Sequence, residues 1–259
     1  MSYYRVLGAR PIPVNKAELA KLADQFVKVL PKYLKFRDMS QPLWSTRGYT
    51  ASWGFDLGKY ETKDVMGNLV RVPVKVTAKT VGEWNPTRNW IAGGVVRSQH
   101  HGPRGHGIKF ELGLKLNADR TPEEILSHLP SVKKEVFSVL IHEVTHLRDV
   151  LHVEGPKEDP QEKAQSYHNK PSEVRAFMQQ AAHEVLDFVE KEAQSFGIGP
   201  WGAQLNGKLL DRALSASLTW SRIQEFLTPT SRKTLLRGVT RAVQDEWPRL
   251  YQKYKDDDF

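Results

Sequence analysis

No cysteine occurs among the 259 residues, which excludes disulfide staples and every metal site built on thiolates. Long apolar runs are missing too, since no stretch approaches the roughly 20 residues that a membrane-spanning helix needs. The first residues, Met1 to Gly8, lack the apolar core of a secretory signal. The expectation is a cytoplasmic protein with no membrane partner; a phage-encoded or injected protein fits the same features. Repeats and low-complexity tracts are absent apart from the short acidic run Asp256-Asp257-Asp258. Acidic residues are the scarcer charge: 30 Asp and Glu stand against 38 Lys and Arg, a formal charge of +8, which admits an acidic protein or a nucleic acid as partner. A chain of this length buries a full core as one large domain or two small ones.

What the chain does contain is His142-Glu143-Val144-Thr145-His146, set in an apolar run with Val139, Leu140 and Ile141 before it and Leu147 and Leu151 after. Residues four apart share one face of an α-helix, so both imidazoles can reach a single metal ion. The glutamate beside the first histidine can lean toward a water in the ion's open position. The plain alternative is two histidines and a glutamate on a structural helix.

Upstream, Thr121-Pro122-Glu123-Glu124 has the form of a capping box with proline at the first helical position, predicting a short helix over 121–129. Before it, residues 108–116 alternate apolar and polar with a period of two, the pattern of a half-buried strand. The motif and this layout resemble the zincin metallopeptidases. The resemblance implies a zinc-dependent endopeptidase in which 108–116 is an edge strand that pairs with an extended substrate.

Two residues compete to be the third ligand. His152 stands at the spacing of the metzincin pattern, but Asp149 occupies the position where that pattern needs glycine for a turn. If the helix continues through 152, His152 is rotated away from its two partners. Glu173 follows Pro171 in the first turn of a predicted helix whose apolar stripe runs through Ala176, Phe177, Ala181 and Val185. A glutamate on a second helix is the gluzincin arrangement, although the commonest gluzincin signatures are missing. A first-turn glutamate favoured by the helix dipole is the plain reading.

The gluzincin resemblance implies that His142, His146 and Glu173 bind Zn2+, and that Glu143 acts first as base toward water and then as acid toward the leaving amine. Residues 153–170 are polar and loop-like, and Tyr167 and His168 at their end are candidates to donate a hydrogen bond to an oxyanion. Packing of Tyr167 against the second helix is the equal alternative.

Elsewhere, residues 17–34 carry leucines and Phe26 at helical spacing. Residues 48–117 are rich in strand signals, at 49–55, 69–76 and 90–96, with Pro73 demoting the middle run to an edge strand or a bulge. Helices are expected near 132–151, 171–195, 205–227 and 230–254. The fold class is α+β and zincin-like, a strand-rich N-terminal part followed by a mainly helical C-terminal part. Three segments are expected: a helical 1–47, a catalytic core over 48–200, and a helical subdomain over 201–259. Two features stay open. The histidine-rich turn His100 to His106 suits either metal or substrate, or a flexible surface loop. Arg232, Lys233, Arg237, Arg241 and Arg249 give the last helix a basic surface that suits a nucleic acid, an acidic partner or plain solvation. A regulator- or nucleic-acid-associated metalloprotease, and a non-catalytic binding protein on the same scaffold, are the alternatives to a general peptidase.

Overall fold

The structure is a computed structural model and describes residues 14–35, 39–47, 51–63, 67–82, 90–100, 106–152, 164–197 and 206–255. The fold is mixed α+β: four strands and several helices in the first unit, Met1–Gly155, and a second unit, Pro156–Phe259, whose described elements are all helices. This division differs from the expected segments 1–47, 48–200 and 201–259. Periodicity marks an apolar stripe but not the surface it meets. The first helix shares its core with the sheet, and the helix after Pro171 shares its core with the last helix. No helix among the described residues is long and apolar enough to cross a membrane.

In the first unit, α1 (Lys16–Tyr33) starts at Asn15, whose side chain accepts from the Glu18 amide. It buries Leu19, Leu22, Ala23, Phe26 and Leu30. Phe26 and Tyr33 meet Phe55 at ring-centroid distances of 6.0 and 5.0 Å. Short α2 (Leu43–Arg47) is tied down by the Leu43 and Trp44 amides, which donate to the carbonyls of Arg120 and Ala118.

The sheet contains β1 (Ser52–Lys63), β2 (Leu69–Val81), β3 (Trp90–His100) and β4 (His106–Asn117), in the order β1-β2-β4-β3. Neighbours are antiparallel except β2 and β4, which run parallel from Val74↔Phe110 to Val81↔Asn117. The alternation read from 108–116 is present: Phe110, Leu112, Leu114 and Leu116 are all buried. The edge role is not. From Phe110 to Leu116 β4 is paired on both sides, parallel to β2 and antiparallel to β3, so that stretch has no backbone edge for a substrate to join. The edge strand of that side is β3. Strand β2 is interior as well, against the expectation for the run containing Pro73. Pro73 sits one residue ahead of the β4 ladder, where its missing N–H costs that ladder nothing. The bulge lies across from it on β1, between Asp56 and Gly58, with Gly58 at a φ of 115°. That extra residue moves the buried positions from Phe55 and Leu57 to Tyr60, so β1 keeps its apolar face inward.

After the sheet, α3 (Pro122–Ser127) begins with the predicted capping box, Thr121 and Glu124 each accepting from the other's backbone amide. The Thr121 amide holds the Glu124 carboxyl below the usual carboxylate range, with Arg120 adding to the effect. Then α4 (Leu129–His152) runs unbroken to its last residue. It packs Val132, Val136, Leu140, Val144 and Leu147 into the same core as the sheet and α1. An ion pair between Lys133 and Asp24 joins it to α1 at the surface.

The second unit comprises α5 (Ala164–His168), α6 (Pro171–Phe196), α7 (Gly207–Ala216), α8 (Leu218–Ile223) and α9 (Pro229–Tyr254). Its core brings Val174, Val185 and Val189 of α6 together with Leu235, Val239, Val243 and Trp247 of α9. The helix expected over 205–227 is broken at Ser217, which caps α8 through its hydroxyl and gives its hydroxyl proton to buried Glu184 at 2.7 Å. Glu184 also accepts from the Thr219 amide and hydroxyl at 2.9 and 2.8 Å. This carboxylate on α6 replaces the helical bonds that a continuous helix would have made. Asn169 closes the unit's other turn, donating to the Phe226 carbonyl and accepting from the Thr228 amide, both at 2.7 Å.

Candidate metal centre

The apolar stripe of α4 fixes the orientation of the motif. Leu140, Ile141, Val144 and Leu147 are buried around it, and His142, Glu143 and His146 are buried with them. The two imidazoles converge, with Nε2 of His142 and Nε2 of His146 3.0 Å apart and the rings inclined at 70°. In this geometry one ring nitrogen carries the proton and the other accepts it. Two ligands at about 2.0–2.1 Å from a tetrahedral zinc lie about 3.3 Å from one another, so the pair is spaced as zinc ligands are. Thr145 is occupied locally, its hydroxyl donating to the Ile141 carbonyl at 2.9 Å.

Glu173 lies in the first turn of α6, behind Pro171, and is buried. The helix is capped at Lys170 without a side-chain hydrogen bond. His142, His146 and Glu173 each offer one ligand atom, these atoms all lie within 4.8 Å of one another, and the buried group could hold a metal ion. Two neutral nitrogens and a carboxylate oxygen are the donors that zinc accepts in its catalytic sites.

The turn that His152 would need at Asp149 does not form, because α4 is helical through both residues. Ten helical residues after His142, position 152 is rotated by most of a right angle from it around the axis. Tyr167 is 38% exposed, packs edge-on against the His168 ring and has Lys170 Nζ 6.0 Å above it. His168 is stacked between Phe177 and Phe226, at centroid distances of 5.4 and 4.9 Å. Both residues thus have packing roles inside the second unit. The loop residues 153–163, the turn residues 101–105 and the acidic tail lie outside the described residues.

Two residues that pattern reading passes over shape the surroundings of Glu143. Gly94 on β3 lies directly beneath its side chain: an added Cβ would overlap Cγ and come within 2.8 Å of Cδ and 2.9 Å of Oε1. Only a residue without a Cβ allows this approach. Glu135, two helical turns before His142, is buried, and its carboxylate reaches the same strand. It accepts from Trp90 Nε1 at 2.8 Å and from the Ala92 amide at 3.3 Å, fastening β3 to α4. The signals were present in outline: an acid among Val132, Val136 and Val139, and a Gly93-Gly94 pair inside a strand.

Comparison with known protein families, curated proteins and solved structures gives no match to this chain.

Proposed function

We propose that the chain is a zinc-dependent peptidase of gluzincin-like design. The observation that carries this reading is the convergence of His142, His146 and Glu173 beside Glu143. His142 and His146 would bind through Nε2 and Glu173 through a carboxylate oxygen, leaving a position for substrate and water. Zinc held there supplies Lewis acidity, acidifying water and polarising a scissile carbonyl. Glu143 then takes the proton from water onto its carboxylate and delivers it to the departing amine. Burial of all four side chains limits bulk water around that proton. An extended peptide would join the sheet at β3, the edge strand that Glu135 holds against α4, and not at β4.

The intact carboxylate of Glu143 favours an enzyme over a binding protein on the same scaffold, since metal binding alone does not require it. The test measures metal content and cleavage together. Wild type is expected to carry about one zinc per chain and to cut an unstructured protein. Glu143→Gln should retain the zinc and lose a factor of about 100 to 10,000 in turnover. A preparation never exposed to chelator that holds no zinc would refute the proposal, and so would Glu143→Gln at wild-type turnover.

A further inference from the structure

The two halves of α9 treat their positive charges differently. In the C-terminal half, Arg249 donates to Glu246 at 2.7 Å and Lys253 to Glu190 at 2.8 Å. In the N-terminal half, Arg232, Lys233 and Arg237 are exposed and form no ion pair among the described residues. With Leu236, Thr240 and Gln244 they line a shallow groove of about 550 Å3 whose walls hold no acidic residue among the described residues. Arg232 is held in place as well, its guanidinium lying 5.2 Å from the centre of the Trp220 ring. A cation already fixed by stacking loses less side-chain freedom when it meets an anion.

We infer that this face of α9 binds the phosphodiester backbone of duplex nucleic acid. Lys233 and Arg237 are one turn apart on the same side, a rise of about 6 Å, with Arg232 beside Lys233 at the head of the row. Duplex DNA carries a phosphate about every 3.4 Å of helix axis on each strand, a dense and regular row of anions against which a row of cations can lie. An acidic peptide has no such regular rail, and Pro229 and Leu236 are the two apolar residues the groove offers it as anchorage among the described residues. The chain's overall charge of +8 assists the encounter. Such contacts position a protein on a duplex without reading its sequence. Nothing in this inference depends on the metal group.

The full-length protein is titrated against a fluorescent mixed-sequence DNA duplex, by anisotropy, at several salt concentrations. Three phosphate contacts give a slope of about −2.7 in log affinity against log salt, so affinity falls about 40-fold between about 50 and 200 mM. Arg232→Gln, Lys233→Gln and Arg237→Gln together should remove that dependence almost entirely, and Arg237→Gln alone should reduce the slope by about 1. The control carries the same loss of charge elsewhere: Lys21→Gln, Lys28→Gln and Lys32→Gln, all exposed on α1, should keep the wild-type slope. Circular dichroism confirms that each variant is folded. The inference is overturned by absence of binding at 50 mM salt, or by equal losses in both triple variants. It is also overturned if a polyglutamate chain of equal charge binds more tightly than the duplex, which would identify an acidic protein as the partner.

Discussion

Replacing Gly94 by alanine perturbs the proposed base without touching any ligand. The new Cβ would stand 2.8 Å from Glu143 Cδ and 2.9 Å from Oε1, where carbon atoms prefer about 3.5–4.0 Å. Close to an ångström of overlap must be relieved, either by β3 leaving α4 or by Glu143 turning aside. The first route strains two hydrogen bonds to the Glu135 carboxylate, each worth roughly 1.5–3 kcal/mol. The second asks one side chain to change rotamer, so Glu143 is expected to yield. Overpacking of this kind costs about 1–3 kcal/mol, a fall of roughly 2–12 °C in the melting temperature of a domain this size. A displacement near 1 Å at a reacting group costs about 100-fold in rate. The variant should therefore keep its zinc, melt a few degrees lower, and cleave a labelled unstructured protein about 100 times more slowly with KM little changed. Wild-type turnover in a folded Gly94→Ala protein would refute the reasoning. Loss of zinc would refute it differently, by showing that strain reaches the histidines. If no cleavage is found even in wild type, the fall in melting temperature still tests the overlap by itself.

Two further outcomes separate competing readings of the sequence. Glu173→Ala should weaken zinc binding by several orders of magnitude while His152→Ala leaves it near wild type, as chelator competition would measure; the reverse ranking would return the chain to a metzincin-like arrangement. The hydrogen bond from Lys253 holds the Glu190 carboxyl below its usual range, so its stabilising contribution is present above the ordinary carboxylate pKa and disappears as pH falls through the lowered one. Lys253→Met should accordingly melt below wild type at neutral pH, with the gap closing in acid, and a gap that persists unchanged at low pH would detach the pair from stability.

The helix that carries His142, Glu143 and His146 is legible in the sequence because its spacing and its surroundings agree. The i, i+4 histidines lie within an apolar stripe, and Pro171 marks the turn in which Glu173 sits. The sequence is silent on strand order. Alternation in 108–116 states which side chains point inward, and says nothing about what lies along either edge, so an interior strand and an edge strand read alike. Glu135 escaped notice for a related reason. An acid in an apolar stripe is explained only by its partners, and Trp90 and Ala92 lie more than forty residues earlier, on another element. Ser217 reads like any helical serine in the sequence, because its partner Glu184 lies on another helix, 33 residues earlier. The expectation that 108–116 forms an edge strand failed because its closeness in sequence to the helix of the His-Glu-x-x-His motif stood in for a neighbour that only the sheet's pairing reveals.

The mixed pairing of the sheet also sets the order in which the first unit can assemble. β1 with β2, and β3 with β4, are consecutive antiparallel pairs that close over short spans of chain. The parallel seam between β2 and β4 joins residues as far apart in sequence as Val74 and Phe110. Loops that long close at a greater entropic cost and form later than local pairs. Two hairpins therefore form early and meet along a late seam, and only that meeting gives α4 a complete sheet to cover. Until then Gly94 belongs to a ribbon with one face unsupported, and the seat for the Glu143 carboxylate does not yet exist. The seat of the Glu143 carboxylate is in this sense the last part of the first unit to be made, although His142, Glu143 and His146 stand almost side by side in the chain.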